Sequence, residues 1–164
     1  MKFAILLLAV ALTGASARAD DDIQARVDAA AKAGGGVVEL AAGTHVTDAL
    51  VLRSGVTLRL AEGAVLQAKK ELASYAPTEG HAFILTEHAD NVAIEGPGVI
   101  DGAGDQFPDG SLEVYQQPRL VWFRDSRNVR FENVRIRPRN RDKRNLITTV
   151  DCTNVDTSGL SEVN

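Results

Sequence analysis

The chain has 164 residues, of which 45% are hydrophobic and 24% charged, and its formal net charge at pH 7 is −4. This length and composition are ordinary for one globular domain and exclude a largely disordered chain. The single cysteine, Cys152, excludes an intramolecular disulfide framework, so packing and backbone hydrogen bonds have to hold the fold together.

The N-terminus has the pattern of a secretory signal peptide. Lys2 precedes an apolar run at residues 3–12, and small residues follow up to Ala19. The run is too short to cross a bilayer. We therefore expect cleavage after Ala19 and removal of residues 1–19. The mature chain, residues 20–164, is expected to be secreted or periplasmic, without membrane association.

A short α-helix is predicted at residues 20–33. Asp22 and the two aspartates before it can cap its N-terminus, and Ile23 and Val27 lie on one apolar stripe. Three glycines at 34–36 end the helix. From residue 37 onward the apolar period changes to two, which predicts short strands separated by turns.

One turn-and-strand unit occurs four times. The copies begin at Ser54, Asp90, Arg127 and Thr153. Their aligned valines are 36, 37 and 26 positions apart, and three of the four copies have Asn directly before Val. The two longer intervals contain polar, turn-rich stretches at 67–81 and 102–118, which we assign to loops. A repeat of this length is typical of a solenoid.

The repeated asparagines and the alternation of apolar and charged residues predict the type of solenoid. Asn tolerates the left-handed backbone conformation at a bend, so stacked coils would place the repeated asparagines above one another. Val129 and Phe131 alternate with Arg130 and Glu132, which predicts an apolar interior and a charged exterior. We therefore expect an all-β fold, a right-handed single-stranded parallel β-helix with coils at 37–164 and the N-terminal α-helix as its cap.

Several segments resemble one enzyme family. Residues 23–40 and 55–66 are similar to the opening block of the pectin-lyase-like parallel β-helix superfamily. Gly-Pro-Gly-Val-Ile-Asp-Gly-Ala-Gly at 96–104, and Arg-Leu-Val-Trp-Phe at 119–123, narrow the resemblance to the polygalacturonase-like glycoside hydrolases. The resemblance covers about residues 23–137. It implies a hydrolase acting on pectin or a related plant-type cell-wall polysaccharide, acidic or neutral.

The catalytic motifs of that family are absent from matching positions. Its enzymes place paired aspartates in Asn-x-Asp and Asp-Asp motifs, followed by Gly-His-Gly and Arg-Ile-Lys, and inverting hydrolysis needs such a pair of carboxyl groups. Here Gly-His-Ala at 80–82 lies in the wrong coil, and Arg-Ile-Arg at 135–137 belongs to the third unit. We assign no catalytic residue. The chain is interpreted as a truncated hydrolase without its catalytic aspartates or, alternatively, as an exported non-catalytic carbohydrate-binding β-helix.

The stretch 119–144 contains ten basic and three acidic residues, which predicts one basic face. Arginines can bind the carboxylates of a polyuronate in a bidentate way, although a solvated outer face is the alternative. The candidate substrate-binding residues are Arg124, Arg127, Arg130, Arg135 and Arg137. Nucleic acid is not an expected partner, because an exported protein seldom meets it and aromatic residues are few.

No metal or cofactor site is expected. Asp101, Asp105 and Asp109 share one loop, but their spacing does not match a calcium loop. The three histidines lack metal-ligand spacing and are assigned to the surface: His45, His81 and His88.

The remaining candidates have structural interpretations. Asp101 is expected to cap backbone amides in a turn, and Asp125 and Asp151 to be solvated turn residues. Four residues are expected in the interior: Trp122, Phe123, Phe131 and Cys152. Because no C-terminal cap is visible in the sequence, we expect self-association through the last coil.

Overall fold

The computed structural model describes residues 22–76, 81–103, 119–137 and 146–163. Within these ranges the chain forms one α-helix, α1 (Ile23–Lys32), one turn of 3₁₀ helix (Leu72–Ser74) and fourteen strands arranged in three sheets. The predicted signal peptide lies outside the described residues.

The strands are grouped by sheet. Sheet A contains β1 (Gly36–Leu40), β4 (Val56–Leu60), β7 (Asp90–Glu95), β10 (Arg127–Glu132) and β13 (Thr153–Asp156). Sheet B contains β2 (Gly43–Thr47), β5 (Ala64–Ala68), β8 (Val99–Asp101), β11 (Val134–Arg137) and β14 (Leu160–Glu162). Sheet C contains β3 (Leu50–Val51), β6 (Ala82–Glu87), β9 (Arg119–Arg124) and β12 (Ile147–Val150).

Each coil crosses sheet A, then sheet B, then sheet C. Every strand pairs with the equivalent strand of the neighbouring coil, and all these pairings are parallel. The predicted parallel β-helix is therefore confirmed. Two parallel strands that pair with each other need a long connection, and here the connection is the part of the coil that passes through the other two sheets.

The alignment of the four repeats is also confirmed by the register of sheet A. Val129 is paired with Val92 on one side and with Val155 on the other. The structure adds a fifth unit that the sequence comparison did not count, because β1 precedes the others and pairs Gly36 with Val56. Glycine in place of valine hid this first unit.

The loop predictions need one correction. Residues 67 and 68, assigned to a loop, are the last two residues of β5, and Ala76 forms a bridge to Ala82 at the start of β6. The backbone hydrogen bonds of sheet B extend further than the polar composition suggested. Of the second predicted loop, residues 104–118 lie outside the described part of the chain.

The apolar side of the alternation faces the interior. Leu58, Ile94 and Phe131 stand in line in successive coils of sheet A, and each is at most 2% exposed. Phe123 of sheet C packs against Phe131 with ring centroids 5.7 Å apart. One continuous column of apolar side chains thus fills the helix, because no single coil can bury its own apolar face.

Helix α1 covers the first coil, as predicted. Asp22 caps it by accepting a hydrogen bond from the Ala25 amide at 3.0 Å, and Ile23 and Val27 are buried. Gln24 also bonds the backbone of Val51 in both directions, at 2.8 and 3.1 Å. The helix therefore satisfies polar groups on an edge strand as well as burying its apolar end.

The C-terminal part of the described chain, from residue 146 onward, is less well buried. Its apolar residues are only partly covered: Leu146, Ile147, Cys152, Val155 and Leu160. Cys152 is half-buried and its thiol donates to the carbonyl oxygen of Val150 at 3.3 Å, so full burial was the wrong prediction. Strand β13 has four residues where β10 has six, in agreement with the degraded fourth repeat.

Candidate functional site

The five candidate arginines do not form one face. Arg124 ends β9 in sheet C, Arg127 and Arg130 lie on β10 in sheet A, and Arg135 and Arg137 lie on β11 in sheet B. The predicted single basic face is therefore wrong. These residues are neighbours along the chain, but they lie on three consecutive strands that belong to three different sheets of the β-helix.

Three of these arginines already have strong partners. Arg127 donates to both carboxylate oxygens of Asp90, at 2.8 and 3.0 Å. Arg135 donates to the carbonyl oxygen of Pro97. Arg137 forms a bond of 2.6 Å with Asp101. Each partner lies in the preceding coil, so these arginines connect neighbouring coils, and the donors in these bonds are already used.

Arg130 and Arg124 are different. Arg130 lies 3.6 Å from Glu95 and 4.0 Å from Glu132, and it makes no hydrogen bond within the described residues. Arg124 lies 3.6 Å from Asp125, again beyond hydrogen-bonding distance. Both guanidinium groups are more than half exposed. Of the five candidates, these two are therefore the ones whose side chains are engaged in ion pairs alone within the described residues.

Arg130 lies in a groove on the outer face of sheet A. The groove has a volume of about 440 Å³. Its lining residues come from four successive coils: Thr57, Asn91, Val92, Ala93, Asn128, Val129, Arg130, Asn154 and Asp156. This volume lies within the range of small-ligand sites in proteins.

A ladder of asparagine amides lines the groove. Asn128 donates to the side-chain oxygen of Asn91 at 3.0 Å, and Asn154 donates to that of Asn128 at 2.7 Å. All three residues have φ between 54° and 58°, in the left-handed region. The prediction of stacked asparagines is confirmed, and their exposure on the groove is the new finding.

Two ionised carboxylates lie in or near the groove, Asp156 in its lining and Asp90 directly before Asn91 in the chain. The two hydrogen bonds from Arg127 hold the pKa of Asp90 below its ordinary value. Hydrogen bonds from the side chain and backbone of Ser158 lower the pKa of Asp156 in the same way. Both groups therefore carry a negative charge at neutral pH, and neither has the raised pKa of a general acid.

The Asp90 pair predicts an acid-sensitive contribution to stability. Because the folded-state pKa of Asp90 is depressed, this contribution is present above the pKa of an unfolded aspartate, about 4, and is lost as pH falls through the folded value. Arg127→Ala should therefore lose less thermal stability than the wild type between about pH 5 and about pH 2 at low salt. Arg124→Ala, which breaks no hydrogen bond, should keep the wild-type slope. Equal slopes for all three proteins would contradict the prediction.

Asp101 lies in a second polar cluster, at the end of β8 in sheet B. Its side chain is 7% exposed, accepts from the Ala103 amide at 2.8 Å and lies 2.6 Å from Arg137 and 3.4 Å from Gln67. The predicted capping role is confirmed. A carboxylate that is buried and bonded to three partners connects its own coil to the coils before and after it, so its role is structural.

Sheet C carries an apolar cluster on its outer face. Leu85 and Trp122 pack there with Ala82, separate from the main core. The Arg119 guanidinium lies over the indole, 4.5 Å from the ring centroid. Trp122 is thus buried as predicted, but outside the interior column. Its indole N–H has no hydrogen-bond partner in the described structure, and the same holds for Nδ1 of His81.

The remaining candidates stay apart in space or outside the described residues. Asp125 and Asp151 end β9 and β12 in left-handed turns, as predicted. His88 is exposed, whereas His45 and His81 are half-buried. Asp105 and Asp109 lie outside the described ranges. Within those ranges no cluster of three or more His, Cys, Asp or Glu side chains could hold a metal ion, and no helix has the length and apolarity to span a membrane.

Sequence reasoning missed the groove itself. The usable signal was Ala93, a small residue at an outward position where the neighbouring coils have Thr57 and Arg130. Recognising it requires the register between coils, which sequence spacing alone leaves open.

Comparisons with known proteins agree with this architecture. The model of the glycosyl hydrolases family 28 matches residues 35–161. A protein from Parabacteroides merdae assigned as a glycosyl hydrolase is 27% identical, with a TM-score of 0.69 over 85% of this chain and 65% of that one.

Two further solved structures share the fold. A family 28 exopolygalacturonase from Yersinia enterocolitica is 22% identical, with a TM-score of 0.67 over 85% of this chain and 35% of that one. A polygalacturonase from Erwinia carotovora is 22% identical, with a TM-score of 0.59 over 90% and 48%. The chain thus spans between 35% and 65% of the length of these three structures. A search of curated proteins finds no significant match.

Proposed function

The chain belongs to family 28 of the glycosyl hydrolases, and from this membership we propose that it forms the N-terminal coils of a polygalacturonase-like enzyme that acts on pectin or a related polysaccharide. The observation that carries the proposal is the match of the family model to residues 35–161, which contain the strands of the solenoid from β1 into β14. Family and fold therefore agree over the same part of the chain.

The chemistry of the described carboxyl groups favours a non-catalytic role for these coils. Inverting hydrolysis needs one carboxyl group protonated at working pH and a second one ionised, and an environment that raises the pKa supplies the first. The carboxyl groups with a displaced pKa in the described residues all have it lowered: Asp28, Asp48, Asp90 and Asp156. Hydrogen bonds from partner side chains cause each shift. We infer that the catalytic pair lies outside the described residues.

The purified 164-residue chain is accordingly expected to release no reducing ends from polygalacturonate above the rate of a buffer control. The assay is colorimetric, with an active family 28 polygalacturonase as the positive control. Turnover that copurifies with the folded chain and disappears on unfolding would contradict our inference and show that a catalytic pair is present.

The second candidate, a non-catalytic carbohydrate-binding β-helix, has one observation in its favour. Three of the five arginines proposed for substrate binding form hydrogen bonds between coils, whereas Arg130 and Arg124 are engaged in ion pairs alone. Binding to polygalacturonate without turnover would support this candidate. If the carboxylates of the polymer contact Arg124, binding weakens as salt rises.

Export is part of the proposal. The pattern of residues 1–19 supports it, and secreted or periplasmic polysaccharide hydrolases work where their polymer is found. Expression with the native N-terminus in a secretion-competent host should give a product that begins at Asp20, as read by N-terminal sequencing. Replacing Ala17 and Ala19 together by leucine should block processing, because the cleavage site needs small residues. A mature product that begins at Met1 would contradict export by this route.

A further inference from the structure

We propose that the groove on the outer face of sheet A binds a neutral oligosaccharide, with the asparagine ladder and Arg130 as its hydrogen-bonding groups. The proposal goes beyond the proposed function, because it assigns a binding surface and needs no hydrolysis by this chain.

The shape of the groove comes from one small side chain. Thr57, Ala93, Arg130 and Asp156 occupy equivalent outward positions in four successive coils. The Ala93 side chain points outward but is only 4% exposed, because the longer side chains of Thr57 and Arg130 flank it on the neighbouring strands. The result is a depression with an apolar floor and polar walls.

The ladder supplies unused donors along one wall. A side-chain amide has two N–H groups, and Asn128 and Asn154 each use one of them within the ladder. Their second N–H groups have no partner in the described structure, and the three amides are exposed. Because neighbouring parallel strands lie about 4.8 Å apart, these donors recur at that spacing along the helix axis. An oligosaccharide carries hydroxyl acceptors at regular intervals along its length, so it can accept hydrogen bonds from these regularly spaced amide donors.

Arg130 supplies the strongest donors in the groove. Its neighbour on the same strand, Arg127, is bound by two hydrogen bonds to Asp90, whereas Arg130 has only ion pairs at 3.6 and 4.0 Å. An oligosaccharide can therefore bond this guanidinium without first breaking a hydrogen bond.

The charges around Arg130 favour a neutral ligand. Glu95 and Glu132 form ion pairs with this one guanidinium, and Asp156 occupies the equivalent position on the next strand, where hydrogen bonds from Ser158 keep its pKa low. Arg59 is bonded to Glu95 and balances only one of the three carboxylates. A polyuronate would meet net negative charge here. An uncharged saccharide makes the same hydrogen bonds without that repulsion.

The test uses two probes that share one sugar backbone, the neutral, fully methyl-esterified tetragalacturonide and the same tetrasaccharide with free, ionised carboxyl groups. Titration into ¹⁵N-labelled protein should shift the side-chain amide resonances of Asn91, Asn128 and Asn154 with the ester, and the free acid should bind several-fold more weakly. Absence of shifts at all three amides up to about 10 mM ester would overturn the proposal. So would tighter binding of the free acid.

Variants locate the contact. Ala93→Leu fills the floor without changing charge, Arg130→Ala removes the guanidinium donors, and each should weaken binding of the ester about tenfold. Arg127→Ala lies on the same strand but outside the groove, and should bind as the wild type does. Asn128→Gly tests the amide while tolerating the left-handed backbone. Wild-type affinity in folded Ala93→Leu would overturn the proposal. Because the readout is at the groove amides, failure to hydrolyse polygalacturonate would leave these results unchanged.

Discussion

Replacing Gly96 by alanine is expected to lower the free energy of unfolding by about 3–5 kcal/mol, among the largest effects that one residue can have. Gly96 follows β7 with φ at 105° and lies above Leu60 of the preceding coil. A Cβ atom there would overlap the Leu60 carbonyl oxygen and lie 3.0 Å from its carbonyl carbon. Because both contacts are with backbone, relief requires neighbouring coils to separate, which breaks hydrogen bonds between strands.

Gly43→Ala is the matched control. Gly43 has φ at 129°, and an added Cβ would meet nothing within 4 Å. That variant should cost only the conformational strain, about 1–2 kcal/mol. Urea unfolding followed by the fluorescence of Trp122, the single tryptophan, measures both. Equal losses in the two variants would show that close coil packing at Gly96 contributes nothing beyond backbone strain.

Asp101→Ala is expected to cost about 2–4 kcal/mol, because it leaves the buried amide of Ala103 and the guanidinium of Arg137 without their partner. Asp101→Asn should cost less, since its amide oxygen can still accept from Ala103 while the charge is lost. The same urea experiment measures both.

Asp90→Ala is the control that separates the stability effect of burial from the effect of charge pairing at Asp101. Asp90 also binds an arginine of the next coil through a short ion pair, but it is exposed to solvent, so its removal should cost much less than removal of Asp101. Equal losses of unfolding free energy in Asp90→Ala and Asp101→Ala would contradict this prediction. They would show that the charge pairing between coils sets the loss and that the burial of Asp101 adds nothing.

The features predicted well depend on short stretches of chain. The cap of α1 follows from Asp22 and the stripe formed by Ile23 and Val27, all within six residues. The inward column of sheet A follows from apolar alternation, as in Val129 and Phe131. Such local patterns identify the interior residues, because an apolar side chain gains from burial whichever coil provides the apolar side chains that it contacts.

The single basic face was predicted wrongly because the reasoning counted charge along the chain. Arg130 and Arg135 are five residues apart but lie on different sheets, since the chain turns at Asn133. The partners of these arginines, such as Asp90, come from the preceding coil. Charge along the chain therefore says little about charge on a face of a solenoid.

The sequence by itself determined the class of this protein. Period-two alternation, the repeated Asn-Val units and the helix before them indicate a capped solenoid, because each pattern acts within a few residues or recurs with the coil. Only the tertiary structure decided the surface. The outer columns join residues about 20 to 40 positions apart, such as Thr57, Ala93 and Arg130, and their alignment depends on the length of every intervening coil. For this reason the groove over sheet A and the bonds that engage three of the five arginines became visible only once the strand register was known.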